Sequence, residues 1–192
     1  NSTAAEEVAR SKKGAGKARR FEAEIDQQKE LACAVKADAH GRTAMHFLCM
    51  NADLPNRRFV PSIERLCEVS GRCISMLTRS PHCFTPMHLS IMRDDLHPDV
   101  FRFMTQTNPQ AAKIRTDSGW YPLQMIVAKP GLSCISMGAI LETLAKAYPR
   151  AVDLPPPVGL IKRHQALHSV CNRKDVCIEA IAPLAKQRQS AN

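Results

Sequence analysis

Thr85-Pro86-Met87-His88-Leu89-Ser90-Ile91-Met92 reads as a short helix whose start is written into it. Thr85 offers a side-chain acceptor suited to the N-cap, and Pro86 stands at the first helical position, where a missing N–H does no harm. The four-residue opening recurs in Thr43-Ala44-Met45-His46, Tyr121-Pro122-Leu123-Gln124 and Gln165-Ala166-Leu167-His168, and the blocks begin 42, 36 and 44 residues apart. Self-similarity at such periods marks a stack of supersecondary units, none of which can bury its apolar face alone.

Working outward, each block sits between a turn and a second helix. In the first unit (38–72), Asp38-Ala39-His40-Gly41 makes the turn and Ala44–Met50 the first helix. Asn51–Pro61 reads as a long connection carrying Arg57-Arg58-Phe59, and Ser62–Val69 as the return helix. The second unit (73–109) runs through Met92 and returns over Pro98–Thr107, where Asn108-Pro109 ends it. The third (110–149) turns at Asp117-Ser118-Gly119, places its first helix over Pro122–Ala128 and returns over Ser136–Tyr148, with Met137, Ile140, Leu141, Leu144 and Ala145 at helical spacing. The fourth (150–186) opens on the Pro-rich Asp153–Arg163 and continues with helices over Ala166–Asn172 and about Asp175–Ala185. Asn108-Pro109-Gln110-Ala111-Ala112 and Tyr148-Pro149-Arg150-Ala151-Val152, 40 residues apart, mark equivalent places after two return helices. Before the units, residues 21–37 predict a capping helix (Phe21, Ile25, Leu31 and Ala32 on one side), and residues 1–20 a flexible basic arm; 187–192 form a tail.

The block resembles the Thr-Pro-Leu-His signature of ankyrin repeats, over roughly residues 38–185. The resemblance implies an all-α solenoid of four divergent helix-turn-helix repeats. It implies structural roles for Thr43, His46, Thr85, Pro86, His88, Pro122, Leu123, Leu167 and His168: the Thr and His side chains tie the helix start to the preceding turn, and the Leu or Met fills the core. It also places the residue before each block on a finger at the concave binding side. Here those residues are Arg42, Phe84, Trp120 and His164. A row of such side chains about 10 Å apart resembles the aromatic and Arg anchors of binding hot spots. The alternative is that Phe84 and Trp120 pack sideways against neighbouring fingers.

Composition agrees with a thin helical core: aromatic residues are 5% of the 192, beside 8 Met and 8 Cys. Most cysteines lie in apolar stretches, which predicts buried free thiols and a reducing intracellular compartment, with cytoplasm, mitochondrion and plastid all open. Arg and Ser near the start fit an organelle-targeting segment, whereas Glu6, Glu7, Glu22, Glu24 and Asp26 oppose it. No apolar run reaches the ~18 residues that span a bilayer. The cysteines and histidines lack the paired spacing of a zinc site, and no Gly-rich phosphate loop or nucleophile turn is present, so neither metal, cofactor nor catalysis is expected.

The net charge of +9 favours anionic partners. Six of the cations, Arg10, Lys12, Lys13, Lys17, Arg19 and Arg20, lie in the arm, and Arg57, Arg58, Lys162 and Arg163 in the two insertions. The expected function is a non-catalytic protein-protein interaction module, a subunit of a large assembly that holds its partner on the finger and inner-helix face. The alternative is an RNA-contacting subunit of a ribosome or ribonucleoprotein that uses the arm and the basic loops.

Overall fold

The computed structural model describes residues 26, 28–79, 83–154, 157, 170, 171 and 178–189. Among them every regular element is helical. Helix α1 covers 28–35, followed by α2 (Ala44–Met50), α3 (Asn56–Val69), α4 (Pro86–Met92), α5 (Pro98–Thr107), α6 (Pro122–Ala128), α7 (Cys134–Ala147) and α8 (Ile178–Gln189). Packing arranges them in two rows. The short helices α2, α4 and α6 lie side by side in one, and α3, α5, α7 and α8 in the other, with each short helix also against its longer successor.

Local chemistry sets the short helices. Pro86 and Pro122 occupy the first helical positions of α4 and α6, and Pro98 that of α5, so their starts fall where the sequence predicts them. The third residue of the three described blocks, Met45, Met87 or Leu123, is at most 1% exposed and fills the space between the rows.

The first return helix departs from expectation. The connection after α2 is short, and α3 starts at Asn56, so Arg57 and Arg58 are helical rather than in a loop. Pro61 is the sixth residue of α3 and does not end it. The buried stripe Phe59, Ile63, Cys67 at four-residue spacing runs across the proline and holds both sides of it against the core. Likewise α7 begins at Cys134, capped by Ser133, and α8 continues to Gln189, past the expected start of the tail. In α1, Leu31 is 43% exposed; Ala34 is the buried residue, and Glu30 pairs with Arg65 of α3 at 3.5 Å. Phe21, Ile25 and the arm lie outside the described residues.

Each of three long helices runs into a 3-10 turn of one design: Gly71–Ser75, Pro109–Lys113 and Pro149–Val152. The preceding residue, Ser70, Asn108 or Tyr148, has φ between −156° and −142° and ψ between 81° and 104°, and the third and fourth residues of the turn are buried: Cys73 and Ile74, Ala111 and Ala112, Ala151 and Val152. The sequence pattern shows only the latter two, because Gly71 replaces the proline in the first. Asn108 joins the first two turns, its side-chain amide donating to Gly71 O and Ser75 Oγ at 3.1 Å.

Candidate functional site

Three equivalent turns precede the short helices, and one two-bond lock builds each. In the third, Thr116 N–H donates to Trp120 O (3.0 Å), and Trp120 N–H returns to Thr116 Oγ1 (3.1 Å). Thr78 and Phe84 repeat the exchange at 2.9 Å each way, and Asp38 and Arg42 at 2.9 and 2.8 Å with a carboxylate oxygen as acceptor. Gly41 and Gly119 supply the left-handed backbone that closes the first and third turns, at φ 76° and 88°. Arg42, Phe84 and Trp120 therefore stand at one register position, as read from the sequence.

In the first and third blocks the last residue connects its helix to the next turn. His46 Nδ1 accepts from Thr43 N–H at 3.1 Å, so Nε2 carries the proton and donates to Met76 O at 3.1 Å and Phe84 O at 3.3 Å. Gln124 makes the same pair of bonds with an amide: Oε1 accepts from Tyr121 N–H at 3.3 Å, and Nε2 donates to Leu154 O at 3.0 Å. His88 Nδ1 accepts from Thr85 N–H at 3.2 Å, and the Trp120 backbone faces the ring more loosely than a hydrogen bond requires. Both imidazoles must be neutral to serve. Burial lowers the pKa of each, to about 4 for His88, against smaller upward pulls from Met76 and Phe84 on His46 and from Trp120 on His88.

Between the second and third turns lies an open groove of about 330 Å³. Phe84 and Trp120 stand on its turn side, Met92, Met125 and Ala128 on its helix side, and Lys129 at its end. Met92 is 58% exposed. The same face of α2 presents Phe47 and Met50, each 48% exposed, so apolar side chains continue across the row of short helices. Two finger residues predicted from register are thus brought into one groove, and both are half-buried.

Arg42 is engaged internally. Its guanidinium binds Asp38 at 2.7 Å and lies over the Phe47 ring, 4.8 Å from its centroid. Desolvation acts to raise the Asp38 carboxyl, but hydrogen bonds from Arg42 and His40 outweigh it and hold its pKa near about 2. Arg57 and Arg58 are exposed on the first turn of α3, at the far end of the short helices from the turns. They do not join the groove. Lys162, Arg163, His164, Leu167, His168 and the six arm cations lie outside the described residues.

Arg93 is the residue that sequence reasoning missed. It is 4% exposed, pairs side-on with Asp95 through Nε–Oδ1 and Nη2–Oδ2 contacts of 2.9 Å, and donates to the backbone carbonyls of Asn51 and Leu54. Asn56 Nδ2 adds a bond to Asp95 O at 2.9 Å. The loop after α4 is thereby fixed to the loop after α2. The pattern Arg93-Asp94-Asp95 right after a short helix was the available signal.

The cysteines divide. Cys49, Cys67 and Cys73 are buried, and desolvation pushes their thiols up to about 12, 11 and 11, which suppresses the nucleophilic thiolate. Cys33 and Cys171 are exposed, contrary to the expectation of burial. Among the described residues no three His, Cys, Asp or Glu side chains gather as metal ligands, and no helix is long and apolar enough to cross a membrane. No protein family, curated protein or solved structure matches the chain.

Proposed function

We propose that this chain is a non-catalytic protein-interaction module, an ankyrin-type solenoid that serves as a subunit of a larger assembly and holds its partner along the finger and inner-helix face. The observation that carries the reading is the sharing of one groove by Phe84, Trp120, Met92 and Met125. A half-buried aromatic pair beside an exposed methionine offers a partner large apolar area at little entropic cost, the composition of binding hot spots. The ankyrin assignment draws support from the two helix rows, the repeated turn lock and the bridging role common to His46 and Gln124. The raised pKa values of the buried thiols favour a structural use of cysteine over a catalytic one, and a reducing compartment suits them.

Native purification through a tag on this chain, with mass spectrometry at low and high salt, tests the proposal. A fixed set of proteins in constant ratio that survives high salt and is lost in Trp120→Ala and Met92→Glu is the expected result. A chain that elutes alone under both conditions overturns it.

A further inference from the structure

Charge is unevenly neutralised over this fold. Three cations of the long helices have carboxylate partners, Arg65 with Glu68 at 3.3 Å, Arg102 with Asp99 at 2.9 Å and Lys146 with Glu142 at 2.7 Å, while Arg57 and Arg58 at the start of α3 have none among the described residues. The cations along the edge made by the 3-10 turns have none either. Arg72, Lys113 and Arg150 project from three successive turns, and Arg115 follows the second; all four are exposed, and none makes an ion pair among the described residues. The C-terminal ends of α3, α5 and α7 favour a nearby cation through their terminal carbonyls, which accounts for the sign of single residues. It does not account for Arg115 or for the lack of acids paired to these cations through three repeats.

Beside this edge, a second groove of about 450 Å³ opens between α5 and α7 at Pro109. Thr105, Gln106 and Thr143 line it together with Arg102 and Lys146, and no carboxylate or aromatic residue does. Arg102 and Lys146 are held by Asp99 and Glu142, so the groove itself contributes hydroxyl and amide groups beside the unpaired cations of the edge, a combination that suits a sugar-phosphate chain, whose contacts are charge and hydrogen bonds. A peptide partner would call for a large apolar anchor, and none of the residues lining this groove supplies one.

We propose that the 3-10-turn edge is a second interaction surface that binds the phosphate backbone of RNA without regard to base sequence, through Arg72, Lys113, Arg115 and Arg150. It is separate from the groove at Trp120 and does not depend on the protein partner proposed there. It also differs from the basic insertions, since Arg57 and Arg58 begin α3 about 20 Å of helix away from the turn that follows it.

The test is the binding of a mixed-sequence RNA oligonucleotide to the full chain over a salt series, by fluorescence anisotropy. Each cation withdrawn from a phosphate lowers the slope of log affinity against log salt by about 0.7 on a single strand. The combined Arg72→Ala, Lys113→Ala, Arg115→Ala and Arg150→Ala variant should therefore lose about 3 from the slope and bind about tenfold or more weakly at low salt. Trp120→Ala should bind RNA as the unaltered chain does. An unchanged slope in the fourfold variant overturns the proposal, even where removal of residues 1–20 abolishes binding. So does competition by polyglutamate or phosphatidylserine vesicles at charge concentrations where a second RNA competes poorly, and so does the absence of RNA binding at low salt.

Discussion

Arg93 lies over the ring of Phe59, its guanidinium carbon 4.1 Å from the ring centroid, and from there reaches the carbonyls of Asn51 and Leu54. One side chain thus covers the core aromatic residue of α3 and satisfies the backbone that leaves α2. The planar fork is what allows both contacts, and lysine has no equivalent.

Arg93→Ala should destabilise the fold by about 3 kcal/mol, because Asp95 loses its partner and two inward-facing carbonyls lose their donors. Arg93→Lys should recover less than half of the loss. Urea unfolding measures both; an Arg93→Lys chain as stable as the unaltered one would show that charge alone suffices.

The packing of α7 on α8 predicts a second effect. A Cβ built on Gly138 of α7 would fall inside the van der Waals envelope of the Glu179 carbonyl on α8. Gly138→Ala should force α8 away and cost about 2 kcal/mol or more, despite alanine's better helix propensity. Hydrogen exchange should show early opening confined to α7 and α8, whereas a stabilised chain would mean that the two helices pack less closely.

Thiol labelling at neutral pH separates the cysteines. Cys33 and Cys171 should react at once with an aromatic disulfide reagent, and Cys49, Cys67 and Cys73 only as the chain unfolds. Mass mapping of the modified peptides reads the order; early modification of Cys49 would contradict its burial.

Much of the fold is legible because prolines mark helix starts. Pro86, Pro98 and Pro122 give the limits of α4, α5 and α6, and the register of the blocks brings Phe84 and Trp120 to equivalent places. The same cue misleads at Pro61, where a buried stripe on both sides of the ring outweighs one forgone backbone bond. The clamp at Arg93 left no periodic trace, since its acceptors are backbone carbonyls some forty residues earlier. Exposure of Met92 is likewise a matter of which face the row of short helices leaves uncovered, and neither hydropathy nor spacing encodes it.

The exposed groove face should be separable from stability. Met92→Glu puts a charge on a side chain that is 58% exposed, so the unfolding free energy should move by less than about 0.5 kcal/mol. Partner retention in the purification described above should nonetheless be lost. Loss of folding in Met92→Glu would assign the residue to the core instead.

The neutral histidines predict the response to acid. Folded His88 titrates near about 4 and an unfolded histidine near about 6.5, so below the latter the unfolded chain binds the extra proton first. The contribution of this residue is therefore complete above about pH 6.5 and is lost as the pH falls toward 4, with a total on the order of 3 kcal/mol. His46, shifted in the same direction, adds to the loss. Glutamine already fills this place at Gln124, where Oε1 accepts and Nε2 donates as the two ring nitrogens of His46 do, without a titrating group. His88→Gln should accordingly keep the fold at neutral pH, within about 1 kcal/mol, and flatten the decline between pH 6.5 and 4. Denaturant midpoints across that interval decide the matter: an equal decline in both chains would mean that carboxylates, and not the buried imidazole, set the acid limit.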